Sequence, residues 1–326
     1  MRNGDQPVEG VRQSRINLGK WLGSPDNPLT ARVFVNRLWR LFFGVGLSKN
    51  VTDFGSQGEW PKHPELLDWL AAEFMDSGWD VKHVVRLMVS SAAYRQSSEA
   101  SGELREKDPF NRWLARQSRV RLDAEVIRDN ALAVSGLLSG EVGGASVKPY
   151  QPEGYWDHLN FPKRTWQADS SEKIYRRGLY VFWCRTFLHP GLLSFDACPR
   201  EESTAERVVS NTPLQALTLL NDPVYVEAAR VLAERGGREG GQSASDRIGW
   251  AYRQVLARQP KVREQEVLQA LLDAERQRFE QDTDAVKELL SVGASSLDGD
   301  LNPVEVAAWT AVTRTLLNLD ETVVRN

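Results

Sequence analysis

Apolar positions recur at spacings of three and four through most of the chain, as at Leu66, Leu67, Leu70, Ala71 and Phe74. That period predicts helices with one buried stripe each. Short polar residues precede proline at Asn27-Pro28, Asp108-Pro109, Thr212-Pro213, Asp222-Pro223 and Asn302-Pro303, with His63-Pro64 a weaker example. Such pairs start helices, because the side chain accepts from free first-turn amides and proline tolerates the first helical position. Thr212-Pro213-Leu214-Gln215 adds a reciprocal capping box. The expected helices run over 28–43, 64–77, 81–93, 122–138, 213–220, 223–235, 245–257, 262–280, 283–291 and 303–319.

Residues 139–211 break this rhythm with Gly143-Gly144, several prolines, many aromatics and one strand-like run, Leu179-Tyr180-Val181-Phe182-Trp183. A long irregular stretch inside a helical protein reads as a functional or wrapping loop. The fold class is therefore mainly α: an irregular helical domain with a long aromatic, Gly- and Pro-rich segment and at most a small strand pair. Helix should exceed about 45% and strand stay below about 10%, well off the usual mix. Gly236 to Ser243 reads as a linker. The organisation expected is 1–15 as a linker from an upstream domain, 16–237 as the main helical domain, and 243–326 as a C-terminal helical layer packed on it.

Composition narrows the function classes. With 326 residues and 41% hydrophobic side chains, the chain can bury a substantial core. A net charge of −3 with no dense basic run gives no nucleic-acid footprint. No apolar run approaches the roughly 18 residues of a membrane span. The N-terminus lacks a signal peptide and reads as a loop entered midway. Cys184 and Cys198 make neither a Cys-x-x-Cys pair nor a haem-attachment motif, so no cofactor is expected on this chain.

Motifs for phosphate loops, zinc proteases, nucleophile elbows and dinucleotides are all missing. The histidines His63, His83, His158 and His189 lack metal-ligand spacing, and no metal is expected. His63 follows the shaped loop Asp53-Phe54-Gly55-Ser56-Gln57-Gly58. Arg32, Asn36 and Arg40 share one helical face beside Arg37 and Trp39, forming either a solvated face or an anion site. Arg119, Arg121, Asp123, Glu125, Arg128 and Asp129 read as mutual ion pairs. Asp196, Arg200, Glu201, Glu202 and Arg207 lie in the irregular segment just before the capped helix, where a rigid scaffold positions a loop.

The ligand-binding candidates are thus Arg32, Asn36, Arg37, Asp53, His63, Asp196, Arg200 and Glu201, drawn from the first helix and the irregular segment together. Tyr150, Tyr155, Trp156, Phe161 and Trp166 are either a stacking platform or rings that a loop buries to anchor itself. The catalytic residues are unknown.

Asn27-Pro28-Leu29-Thr30-Ala31-Arg32-Val33, Val35-Asn36-Arg37-Leu38-Trp39, Asp53-Phe54-Gly55 and His63-Pro64-Glu65-Leu66-Leu67-Asp68-Trp69-Leu70 form an ordered series. Tyr94-Arg95-Gln96-Ser97-Ser98, Arg128-Asp129, Gly143-Gly144, Asn211-Thr212-Pro213-Leu214-Gln215-Ala216-Leu217 and Leu220-Asn221-Asp222-Pro223 continue it. From about Ile16 to Glu321 the chain resembles the C-terminal domain of unknown function of planctomycete cytochrome-c-type exported proteins. The resemblance implies an extracytoplasmic setting, with haem c on an upstream domain and a second uncharacterised domain as partners in the same polypeptide. It implies no mechanism. The chain departs from the family pattern at Ser203, where cysteine is common, and at Glu206-Arg207, where an arginine pair is common.

Three readings follow: the substrate-facing part of a haem-linked redox protein, a glycan- or polymer-binding module, or a structural and interaction domain. A cleft gathering Asn36, Arg37, Asp53, Asp196 and Arg200 would favour the first. An exposed row of Trp and Tyr rings would favour the second, and polar groups all spent on helix caps and internal pairs would favour the third.

Overall fold

The first helix, α1 (Arg15–Leu22), buries none of its side chains. The second, α2 (Thr30–Phe43), begins where Asn27 Oδ1 accepts from the amides of Leu29 and Thr30, at 2.8 and 3.1 Å. The computed structural model describes residues 14–55, 57–157, 163, 165–185, 187–297 and 299–325. Helix takes 53% of the described residues, and the strands β1 (Val120–Arg121) and β2 (Val324–Arg325) form one small antiparallel pair. The mainly α class stands.

The described residues fall into two compact units, divided after Val120. In the first, α2 lies with α3 (Pro64–Asp76), α4 (Val81–Ser90) and the short α5 (Gly102–Lys107). Ala31, Val35, Trp39 and Phe43 form one stripe of α2, and Leu67, Leu70, Ala71 and Phe74 face it from α3. Val84 and Met88 of α4 close this core. Each buried aliphatic or aromatic chain here contributes roughly 1.5–3 kcal/mol.

The second unit, Arg121–Arg325, holds nine helices among its described residues. They are α6 (Ala124–Ser135), α7 (Pro190–Leu193), α8 (Pro213–Asn221), α9 (Pro223–Glu239), α10 (Ala244–Leu256), α11 (Val262–Gln281), α12 (Thr283–Leu290), α13 (Pro303–Leu317) and α14 (Asp320–Val323). Small buried residues bring α9 and α13 close: Ala228 and Ala229 on one, Ala307 and Ala308 on the other. Thr313 Oγ1 reaches across to donate to Ala229 O at 2.7 Å.

Three expectations need correction. The Gly236–Ser243 stretch is no linker, since α9 continues through Gly236 and Gly237 to Glu239. A Cβ on Gly236 would sit 3.4 Å from the Trp250 ring, so packing wins there over glycine's poor helix propensity. The two compact units divide after Val120. Second, Asp108-Pro109 starts a turn, not a helix: the Asp108 carboxylate accepts from the amides of Arg112 and Trp113 at 2.8 and 2.9 Å. Third, the strand-like run at 179–183 contributes a 3-10 turn (Gly178–Tyr180) and one isolated bridge, Val181 to Val147.

Candidate functional site

Within the first unit a groove opens beyond the C-terminus of α2. Its floor is core: Trp39 and Phe43 stack with centroids 3.8 Å apart, and Leu47 is buried beside them. Gly44, at φ 83°, ends the helix and turns the chain into the first wall. Asn36, fully buried one turn and more upstream, fixes that wall. Its Nδ2 donates to Ser48 O and its Oδ1 accepts from Ser48 N, both at 2.9 Å. Gly46 must be glycine, because a Cβ would lie 2.7 and 2.9 Å from the Asn36 amide atoms. Ser48 Oγ then donates to Glu59 O at 3.4 Å, tying the 44–50 turn to the stretch leading into His63.

The opposite wall is the 108–118 segment. Asn111 and Leu114 hold φ of 49° and 54° there, and for leucine this left-handed region is a true outlier. Hydrogen bonds enforce it: Asn111 Nδ2 donates to Arg116 O at 2.7 Å, and Gln96 Nε2 donates to Leu114 O at 3.0 Å. Burial alone would raise the Asp108 carboxyl, but the Trp113 and Arg112 amides and the Arg116 and Arg112 charges outweigh it and hold it low. The walls meet where His63 Nε2 lies 2.8 Å from Arg112 O and Arg112 pairs with Glu59 at 3.0 Å.

Between them lies a cavity of about 150 Å³. A dry cavity of roughly that size accepts one benzene-sized ring. Trp60 and Phe110 stand at its mouth, 78% and 77% exposed. Lys49 and Lys62 line it too, and neither has an ion-pair partner among the described residues.

Of the candidates read from the sequence, His63 belongs to this groove and Asn36 supports it from beneath. Arg32 donates to Asp68 and to Pro28 O, both at 2.6 Å, while Arg37 is exposed. Asp53 shapes a turn by accepting from Gly55 N at 2.6 Å. In the second unit Asp196 accepts from Ser210 Oγ and N at 2.8 Å. Ser210 also receives Gln215 Nε2 at 3.1 Å, and Arg121 donates to Gln215 Oε1 at 2.6 Å. Arg200 stacks on Trp183 at 3.9 Å, and Glu201 O accepts from Arg185 at 3.5 Å. Arg207 grips Glu125 with both guanidinium nitrogens, at 2.6 and 3.0 Å. Burial would raise the Glu125 carboxyl, but Arg207 holds it below its usual range. Asp196 and Arg200 also sit at positive φ, 61° and 62°. This cluster is therefore a self-satisfied clasp on the loop before α8.

Of the aromatic candidates, Trp156 and Trp166 pack on each other and Tyr155 packs on Phe187. Trp156 is buried and stacks on Trp166 at 5.3 Å; Trp166 Nε1 donates to Pro149 O at 3.0 Å, and Tyr155 Oη donates to Leu188 O at 2.9 Å. Only Tyr150 of the four is exposed. Phe161 and His158 lie outside the described residues. His83 pairs with Glu73 at 2.7 Å. His189 is buried against Tyr150 O at 2.8 Å; burial, with the Arg128 charge, pushes its imidazole down to about 4 against the pull of that bond. Cys184 and Cys198 form no disulfide. Among the described residues no three His, Cys, Asp or Glu side chains converge as a metal site, and no helix is long and apolar enough to cross a membrane.

Trp60, Phe110, Lys49, Lys62 and Arg112 were not singled out from the sequence. Their signal was weak but present: Glu59-Trp60-Pro61-Lys62-His63 puts a large ring and a charge in a loop beside a capped helix.

Residues 14–272 match the model of the family described as PSD1, protein of unknown function (DUF1553). The chain belongs to that family. The match spans the whole described first unit and the second as far as α11, so both walls of the groove lie inside the PSD1 region. No curated protein and no solved structure matches the chain.

Proposed function

We propose that this PSD1 domain is a binding module that takes a sugar ring of a glycan or related polymer into the groove of its first unit. The observation that carries the reading is the pair of exposed rings, Trp60 and Phe110, at the mouth of a preformed cavity about one ring in volume. Large exposed aromatics are costly to leave in water, and around a rimmed cavity they mark a binding surface. The strained backbone at Asn111 and Leu114 supports it, since such conformations persist at ligand clamps where the surroundings enforce them. A pyranose presents C–H groups on one face and hydroxyls at its edge, matching aromatic walls with Lys49, Lys62 and Arg112 around them.

The redox reading needed polar candidates converging on one cleft, but Asn36, Asp53 and Asp196 are each engaged in holding a local turn. The resemblance to planctomycete haem-linked exported proteins supports an extracytoplasmic setting, in which this chain would hold the polymer while haem c sits on another domain. Isothermal titration of neutral oligosaccharides of several linkages onto the chain tests the reading. Binding that disappears in Trp60→Ala, with helicity unchanged, is the expected result; no binding by any saccharide overturns it.

A further inference from the structure

Building on the ring-groove reading, we infer that the glycan is acidic, carrying sulfate esters or uronate carboxylates that face Lys49 and Lys62. Three cationic side chains line the groove, Lys49, Lys62 and Arg112, against one carboxylate, Glu59. Arg112 and Glu59 already neutralise each other at 3.0 Å. The imidazole Nε2 of His63 faces Arg112 O at 2.8 Å, inside the wall. What remains is two ammonium groups with no carboxylate against them among the described residues.

Their placement on the chain separates the two tasks of the groove. Lys49 follows the Asn36-pinned Ser48, and Lys62 directly precedes His63, whose ring is held at Arg112 O. The interior is apolar, floored by the Trp39 and Phe43 rings with Leu114 on one wall, which suits the C–H face of a sugar and gives no partner to an anion. Both lysines are exposed. An anionic substituent is therefore met beside the solvent, without the penalty of burying it.

The residue type sets how selective this is. Arginine reads the planar geometry of a carboxylate or sulfate through its fork, but the fork of Arg112 is turned onto Glu59. Lysine offers a mobile, hydrated point charge. The groove consequently selects charge on a ring and tolerates either anion, and the selection weakens as salt screens it.

The test uses matched saccharides titrated onto the chain by calorimetry: hexagalacturonate with its fully methyl-esterified form, and sulfated cellohexaose with cellohexaose. A poly-glutamate peptide of equal charge serves as a ringless anion. Two exposed ion pairs should favour each charged saccharide over its neutral partner by about tenfold at low salt. That preference should vanish near 1 M NaCl, where the Debye length is about 3 Å. Combined K49Q and K62Q substitution should bring the charged saccharides down to the affinity of their neutral partners. Equal affinity within both pairs in the parent chain overturns the inference and leaves the ring-groove reading standing. A preference that survives K49Q and K62Q also overturns it, as does poly-glutamate binding as tightly as the charged saccharides. If no saccharide binds, charged or neutral, the ring-groove reading itself falls, and this inference with it.

Discussion

Asn36 and Ser48 exchange two hydrogen bonds at 2.9 Å, side-chain amide to backbone, with both residues buried. One side chain thus stands in for a strand partner: it satisfies the N–H and the C=O of the same residue and fixes the turn that becomes a groove wall. The pairing joins the core face of α2 to the binding surface, so a change at Asn36 is felt in both.

Replacing Asn36 with Leu keeps the branched shape but strands the Ser48 N–H and C=O in the core. Each stranded group costs roughly 1–3 kcal/mol, so the first unit should lose about 3 kcal/mol. Gly46→Ala should act in the same direction, because its Cβ meets the Asn36 amide. Chemical denaturation followed by circular dichroism measures both; midpoints equal to the parent chain would show that the turn is held by something else.

A second prediction concerns Glu227 on α9. Its carboxylate accepts from Tyr175 Oη, Ala294 N and Ser295 N, each at 2.7 Å, 3.9 Å from the fully buried Arg230. Glu227→Ala releases the 293–295 turn and leaves Arg230 with Glu234 as its carboxylate partner, at 2.5 Å. Loss of one partner from a buried charge network costs about 3–5 kcal/mol. A thermal midpoint within a degree or two of the parent would contradict this account of the turn.

His189 gives a pH signature. Its folded-state value near 4 lies below the ordinary 6.5, so between those values the unfolded chain binds the extra proton. Stability therefore rises with pH through that window and is lost as pH falls from about 6.5 towards 4, by an amount of order 3 kcal/mol. Burial raises the neighbouring charge partners of Arg128, the Asp129 and Asp222 carboxyls, which stabilises the folded state at low pH and blunts the loss. The diagnostic quantity is the difference between parent and His189→Gln. Unfolding curves at pH 7 and pH 5 should show a smaller pH effect in the variant; identical slopes would remove His189 from the account.

Helices were the legible part of this sequence, since periodicity and caps such as Asn27, Asp222 and Asn302 act over three or four residues. The end of α9 was misread because Trp250, distant in sequence, covers Gly236. Asp108-Pro109 misled for a related reason: its carboxylate caps a turn with the same amide geometry that starts a helix. The groove was half visible. His63 and the Asn36 face were within reach, but Trp60 and Phe110 are brought together only by tertiary packing of segments fifty residues apart. Conversely, the aromatics at 150–166 and the charges at 196–207 stood out by density, and density is also what a loop needs to clasp itself.

The central claim is that the ring-lined groove is a binding site, and the most direct measurement is calorimetric titration of oligosaccharides onto parent chain and the Trp60→Ala, Phe110→Ala double variant. Both rings are mostly exposed, so their loss should leave the unfolding midpoint near that of the parent. The account predicts a saccharide that binds the parent and binds the double variant at least about tenfold more weakly, a loss of about 1.4 kcal/mol or more. A double variant that binds as tightly as the parent, or a parent chain that binds no saccharide at all, would contradict it.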